Sequence, residues 1–329
     1  MPPGGPLTPW LDQPVLVTGA TGLLGGWLVR RLLAHGAEVT CLVRDQDPGA
    51  PLHAEGWGRR AATVRGDVTD QALLERIIGE RGVRAVFHLA AQTLVGVARR
   101  NPVSTWDSNI RGTWALLEAC RRSPAVQAVV VASSDKAYGD HHGAAYTEDL
   151  PLRPVAPYDV AKACADLIAH SYAETWDVPV AITRCGNFYG GGDRNWSRLV
   201  PGTIRSVLRG DRPVIRSDGS PVRDFLYVED AVKAYLRLAE RLRDDAGIRG
   251  RAYNFSHEHP VTVADMVTLV LAVMESDLEP LVLGEAHDEL PFQALDTTRA
   301  RTELGWEPET DLAEGMARTV AWYRGHVLG

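Results

Sequence analysis

Residues 14–43 constrain this chain more than any other stretch. Pro14–Thr18, PVLVT, is a short apolar, β-branched run of strand type. It passes into GATGLLGG and then into WLVRRLLAHG, whose apolar residues recur at helical spacing up to a stop at Gly36. AEVTCLV follows as a second strand. Strand, glycine turn, helix, strand is a βαβ unit, and such a unit commits the chain to parallel pairing.

The alternation continues. TVRGDV is predicted as a third strand, ALLERIIGERG as a helix and RAVFHLAA as a fourth strand. Residues 103–122 read as a helix, AVQAVVVASS as a fifth strand, 158–175 as a helix and VPVAITRC as a sixth strand. This rhythm predicts a doubly wound parallel sheet covered by helices on both faces. After Cys185 it stops. GNFYGGGDRNW is glycine-rich and irregular, and the last seventy or so residues mix short strands with helices. A smaller second lobe, built mostly from the C-terminal part, is expected.

Composition narrows the function classes. The 329 residues are 45% hydrophobic and 23% charged, with net charge −7. An acidic chain of this kind argues against a dedicated nucleic-acid binder. Cys41, Cys120, Cys164 and Cys185 show no CxxC spacing, so free thiols in a reducing compartment are expected. No apolar run approaches the roughly 18 residues of a membrane span, and MPPGGPLTPW lacks a secretory h-region. The expected location is the cytoplasm. His141-His142 beside Asp140 have no third ligand at zinc-like spacing and read as a polar loop, so no metal is expected. The nine tryptophans are scattered singly, as packing residues are.

Gly19, Gly22 and Gly25 stand three apart in Thr18–Gly25. The first permits a sharp turn after the strand, the second a close approach of backbone to a pyrophosphate, the third tight helix–strand packing. Spacing alone is a weak signal. Its position between the first strand and first helix of a βαβ unit makes it a dinucleotide phosphate turn, with Thr21, Leu23 and Leu24 around the helix N-terminus. The second strand ends in Leu42-Val43-Arg44-Asp45. Arg44 suits a 2′-phosphate and Asp45 a ribose, which leaves NAD and NADP both open with a slight lean to NADP. Asp67 and Val68 are placed for the adenine edge. Leu89, Ala90, Ala91 and Gln92 follow the fourth strand, where open α/β sheets place ligands.

Tyr158 and Lys162 sit at i and i+4 of a helix opening at Pro157, and so share a face. An ammonium near a phenol favours phenolate and lowers the tyrosine pKa, which makes a general base for a sugar or alcohol hydroxyl.

The TGxxGxxG turn, HLAAQ, the Ser133-Ser134 pair and YxxxK together resemble the extended short-chain dehydrogenase/reductase superfamily, the NAD-dependent epimerase/dehydratase family. The likeness extends through GNFYGGGDRNWSRLVP, RDFLYVEDAV and LGWEP. It implies a Rossmann domain over residues 1–186, with 221–256 returning to it, and a nucleotide-sugar-binding α/β lobe from 187–220 and 257–329. It implies Tyr158 as base, Lys162 as its tuner and nicotinamide-ribose ligand, Ser134 as substrate-orienting hydroxyl and Asn109 as the helix asparagine. It also implies a homodimer through the helices near 105–120 and 158–175.

Within that family, Asp135-Lys136 resembles the pair found in CDP-glucose 4,6-dehydratases and some UDP-N-acetylglucosamine dehydratases, while RDFLYVEDA follows the general epimerase/dehydratase pattern. The expected reaction has Tyr158 taking the 4-hydroxyl proton as hydride leaves carbon 4. Lys136 then removes the carbon-5 proton, Asp135 protonates the departing 6-hydroxyl, and hydride returns to carbon 6. Burial near Lys162 is expected to keep Lys136 neutral. A C4 epimerase and a non-catalytic dinucleotide sensor are the alternatives. Gln92, Asn187, Arg198, Arg223 and Glu289 are candidate contacts to a nucleotide diphosphate sugar, Arg223 through its guanidinium fork.

Overall fold

Runs of β-branched residues become strands where both of their faces can be buried. The computed structural model describes residues 9–45, 47–141, 143–285 and 290–327. In it β1 (Pro14–Thr18), β2 (Glu38–Val43), β3 (Ala62–Arg65), β4 (Ala85–His88), β5 (Ala128–Ala132), β6 (Val180–Cys185) and β7 (Ala252–Phe255) form one sheet. The order is β3-β2-β1-β4-β5-β6-β7, and every neighbouring pair is parallel.

Helices cover both faces. The major ones are α1 (Leu23–Ala34), α2 (Gln71–Glu80), α3 (Gly112–Arg121), α4 (Pro157–Trp176), α5 (Leu199–Leu208), α6 (Val228–Asp244), α7 (Val263–Met274) and α8 (Leu312–Val327). The two-residue period of a strand divides the core. Val15 and Val17 of β1 pack with Leu28 of α1 and Leu238 of α6, whereas Leu16 packs with Ile77 of α2 and Leu116 of α3.

Three expected strands end early, and of these AVQAVVVASS stops at Ala132. The RAVFHLAA strand stops at His88: Leu89 N–H is shared between the Thr18 carbonyl and hydroxyl at 3.2 Å each, and Ala90 N–H goes to the Thr18 hydroxyl alone at 3.2 Å. The TVRGDV strand stops at Arg65, and Asp67 then turns the chain by accepting the Thr69 N–H at 2.9 Å. The predicted helix over 103–122 runs from Pro102 to Arg121 with a widened π-type turn at Asp107–Arg111.

Beyond Cys185 the strands are short. Val222–Arg223 lies between Val261–Thr262, antiparallel, and Phe292–Gln293, parallel. Asn187–Tyr189 pairs with Phe225–Tyr227, and α7 opens with a capping box between Thr262 and Asp265. Among the described residues no helix is long and apolar enough to cross a membrane. All four cysteines are free, and three of them are buried.

Candidate active site

The strand order reverses between β1 and β4, and a doubly wound sheet opens its ligand crevice at that point, beyond the carboxyl ends of the strands. A cleft of about 410 Å³ lies there. Gly19, Thr21, Gly22, Leu23, Leu24 and Gly25 line one end of it. Gly19 has φ +72°, and a Cβ on it would come within 2.6 Å of the Leu89 carbonyl carbon. A Cβ on Gly25 would lie 2.1 Å from the Gly19 oxygen. Glycine is therefore required at both positions. Gly22 caps α1 without a side-chain hydrogen bond, and the first turn holds no acidic residue, so its N–H groups and positive dipole end face the cleft.

Arg44, Asp67, Val68, Leu89, Ala90 and Ala91 continue the lining, and Tyr158 and Lys162 close the far end. The sequence leaves NAD and NADP open at Arg44, with a slight lean to a 2′-phosphate. The Arg44 guanidinium instead meets Asp45 at 2.7 Å and approaches Asp67 at 3.9 Å. Two carboxylates at adjacent strand ends repel a phosphate and accept hydroxyls, so the lean to NADP is not supported.

Under the cleft a hydrogen-bond chain crosses from β1 to the helix bearing Asn109. Thr113 donates to the Asn109 carbonyl at 2.6 Å, so its oxygen accepts from His88 Nε2 at 3.0 Å. That tautomer leaves His88 Nδ1 to accept from Thr18 at 2.9 Å. Burial and the nearby Lys162 hold the imidazole neutral, with its pKa pushed down to about 3. Asn109 clamps the Gln92 backbone, accepting its N–H at 2.7 Å and donating to its carbonyl at 3.0 Å. The Gln92 amide is held by Leu94 and Thr105.

The proton-handling groups follow β5. Ser134 caps the short turn Asp135–Tyr138 by accepting the Lys136 N–H at 3.2 Å, and it donates to the buried Asp135 carboxylate at 2.9 Å. Ser134 and Asp135 both act on the ionisation of Tyr158, Asp135 opposing the phenolate and Ser134 favouring it. Helical spacing predicts that Lys162 lowers the Tyr158 pKa. Burial instead raises it, and the foremost opposing charge is Arg198. Lys162 Nζ donates to the Ala132 carbonyl at 2.7 Å, and burial brings its own pKa down to about 8. Lys136 also differs from expectation. It is half-buried, and its Nζ reaches Gln293 Oε1 at 3.2 Å.

Of the other candidates, Arg198 lines the cleft, tied to Asp193 at 2.9 Å. Asn187 donates its backbone N–H to the Asp224 carbonyl at 2.9 Å. Arg223 is buried outside that lining, and Nη1 donates to the Val222 and Leu290 carbonyls at 2.8 and 2.7 Å. Glu289 and His142 lie outside the described residues. His141 Nε2 faces the Tyr138 and Pro151 carbonyls.

Sequence reasoning missed several groups. Phe188, Asp193, Arg194, Asn195 and Tyr235 line the cleft. The GGGDRNW loop was visible as a motif, whereas Tyr235 sits in an ordinary amphipathic helix with nothing local to mark it. Asp159 follows Tyr158 directly, and no local pattern marks it. It is half-buried, and burial raises its pKa to about 6 against the attraction of Lys136. Asp224 is fully buried, and its pKa is likewise raised to about 6.

Comparison with known proteins agrees with this geometry. The chain is 35% identical to a dTDP-glucose 4,6-dehydratase of Streptomyces griseus, over 95% of this chain and 94% of that one. It is 31% identical to a CDP-glucose 4,6-dehydratase of Salmonella typhimurium, over 97% and 93%. Among solved structures, a UDP-glucose 4-epimerase of Thermotoga maritima with UDP-glucose superposes with TM-score 0.86 at 27% identity, over 96% of this chain and all of that one. A dTDP-glucose 4,6-dehydratase of Bacillus anthracis in complex with NAD gives TM-score 0.84 at 27% identity, over 95% and 97%. The model of the NAD dependent epimerase/dehydratase family matches residues 15–255. With its parallel sheet, glycine turn and Tyr158–Lys162 pair, this chain is an enzyme of the NAD dependent epimerase/dehydratase family.

Proposed function

We propose that the chain is a nucleotide-sugar 4,6-dehydratase that works with NAD. One observation carries the reading. The Ser134 hydroxyl donates to the Asp135 carboxylate and accepts the Lys136 backbone N–H, and the charges of Asp135 and Lys136 both act on Asp159, the residue after Tyr158, so a carboxyl and an amine accompany the tyrosine at the end of β5. Moving a hydride away from carbon 4 and back needs only the tyrosine. Losing water across carbons 5 and 6 needs a further base and a further acid.

The residues present fit a dinucleotide. The uncapped N–H groups of α1 and the glycine walls at 19 and 25 suit the diphosphate. Asp45 and Asp67 suit ribose hydroxyls, which favours NAD over NADP. Lys162 would hold the nicotinamide ribose. When bound, NAD supplies a reversible hydride acceptor. Tyr158 takes the 4-hydroxyl proton, and Arg198 favours its ionised form. A ketone at carbon 4 acidifies carbon 5. Lys136 then takes the carbon-5 proton, Asp135 gives a proton to the 6-hydroxyl, water leaves, and Lys136 returns its proton to carbon 5 as the hydride goes back to carbon 6. Gln92, Asn187, Arg198 and Arg223 are the proposed contacts to the sugar and its diphosphate. The Asp-Lys pair and the Salmonella relative favour a CDP-glucose-like substrate. The buried free thiols fit a reducing cytoplasm.

The test is product mass after incubation with CDP-, UDP-, GDP-, ADP- and dTDP-hexoses, with NAD or NADP supplied. Loss of one water is expected, with NAD more effective than NADP by at least about tenfold. Asp135→Asn and Lys136→Met should lower that rate by about a hundredfold or more while the protein stays folded. An isomer of unchanged mass would instead establish a 4-epimerase, the second reading. The shared fold of the Thermotoga epimerase favours it, because Ser134, Tyr158 and Lys162 suffice for that chemistry.

A further inference from the structure

Lys136 is held by a residue 157 positions away in the chain, Gln293. Gln293 is 1% exposed and belongs to the short strand Phe292–Gln293, where it stands opposite Arg223. Tyr146 brackets that strand. Its N–H donates to the Ala294 carbonyl at 2.8 Å and its hydroxyl to the Phe292 carbonyl at 3.1 Å. The backbone that carries the amide is thus fixed from two sides.

The neighbour decides which way the amide faces. Lysine Nζ–H is a donor, so the Gln293 oxygen faces it and the NH₂ group faces away. That NH₂ is buried and has no partner. An unpaired buried donor is unfavourable, and an apolar side chain of similar shape would remove the penalty. The carbonyl is the half of this side chain that has a use.

We propose that Gln293 is a positioning residue whose side-chain carbonyl aims the Lys136 amine, so that the C-terminal part of the chain directs a base presented by the central sheet. The proposal rests on the reading of Lys136 as the carbon-5 base. The charged groups around that amine are Asp135 on its own turn and Asp159 from the start of α4, the latter also attracted by Arg99. From the C-terminal side Arg223 stands opposite Gln293 in register, and Asp224 acts on Asp135. A neutral carbonyl orients the amine among these groups without adding charge. A carboxylate at 293 would hold the amine protonated and useless as a base.

Gln293→Met and Gln293→Glu test this in the full chain. Two quantities are read: the pH dependence of Lys136 acetylation by acetic anhydride, followed on its peptide by mass spectrometry, and turnover of the sugar nucleotide. Gln293→Met should melt at or above the wild-type temperature and lose at least about tenfold in kcat with little change in KM. Gln293→Glu should move the Lys136 acetylation midpoint up by about one pH unit or more, and carry the acidic limb of the rate profile with it. Wild-type kcat in Gln293→Met, or an unmoved acetylation midpoint in Gln293→Glu, overturns the proposal. If wild type eliminates no water from any sugar nucleotide, the base role of Lys136 falls. The acetylation midpoint still decides separately whether Gln293 governs the amine.

Discussion

His88 shows how much one side chain can organise beneath a cleft. Its neutral ring joins Thr18 at the end of β1 to Thr113, and through Thr113 to the carbonyl of Asn109. Protonation would put a second donor against Thr18, whose oxygen already serves two backbone N–H groups. The folded-state pKa of about 3 lies below the unfolded value near 6.5. The folded protein therefore binds fewer protons. Its stability is complete above pH 6.5 and falls as pH drops toward 3, by about 1.4 kcal/mol per unit from this group. Between pH 6.5 and 4.5, urea unfolding of wild type should lose about 2–3 kcal/mol more than His88→Gln does. Parallel stability curves for the two would refute the neutral, doubly bonded ring.

At the scale of elements, the loop after β5 is anchored through α4 and β6. Arg184 of β6 grips Asp166 of α4 with Nε at 2.8 Å and Nη2 at 3.0 Å, and both side chains are buried. Arg184 Nη1 also donates to the Tyr138 hydroxyl at 3.0 Å and the Glu148 carbonyl at 3.1 Å. Tyr138 ends the turn that carries Asp135 and Lys136, and its hydroxyl continues to Asn254 of β7 at 2.7 Å. Removing one partner of a buried pair leaves the other charge uncompensated. Asp166→Asn should therefore cost about 3–5 kcal/mol in urea unfolding. A loss under about 1 kcal/mol would mean that the pair is screened as a surface pair is.

For the whole molecule, the unpartnered surface is as informative as the cleft. Val103 is 62% exposed and Leu167 58%, and Trp106 and Trp114 are also open to solvent on the same two helical segments. Trp106 Nε1 donates to the Pro157 carbonyl at 3.2 Å, which joins the starts of those segments. Large apolar groups on adjoining helices are where the homodimer expected from the family resemblance would bury surface. Sedimentation equilibrium should give twice the 35.9 kDa chain mass, and Val103→Glu with Leu167→Glu should give the single chain. A wild-type monomer at micromolar concentration would refute the dimer.

Features that depend on neighbours a few residues apart were legible in the sequence. The βαβ unit follows from the two periodicities. The phosphate turn follows from glycines at 19, 22 and 25, and the Tyr158–Lys162 pairing from the pitch of a helix. The same local rules placed the Asp135–Lys136 pair at the end of β5. Other features arise only when distant segments meet. Arg44 has the same side chain whether it faces a phosphate or, as here, Asp45 and Asp67. Lys162 carries the same charge whether it faces a phenol or the Ala132 carbonyl. Tyr235, Asp159, Asp224 and Gln293 carry no mark of their roles, because burial and long-range contact, which set their energetics, are properties of the folded chain. Local sequence determined the scaffold and its turn, and tertiary structure decided which polar groups lost their water and therefore what each can do.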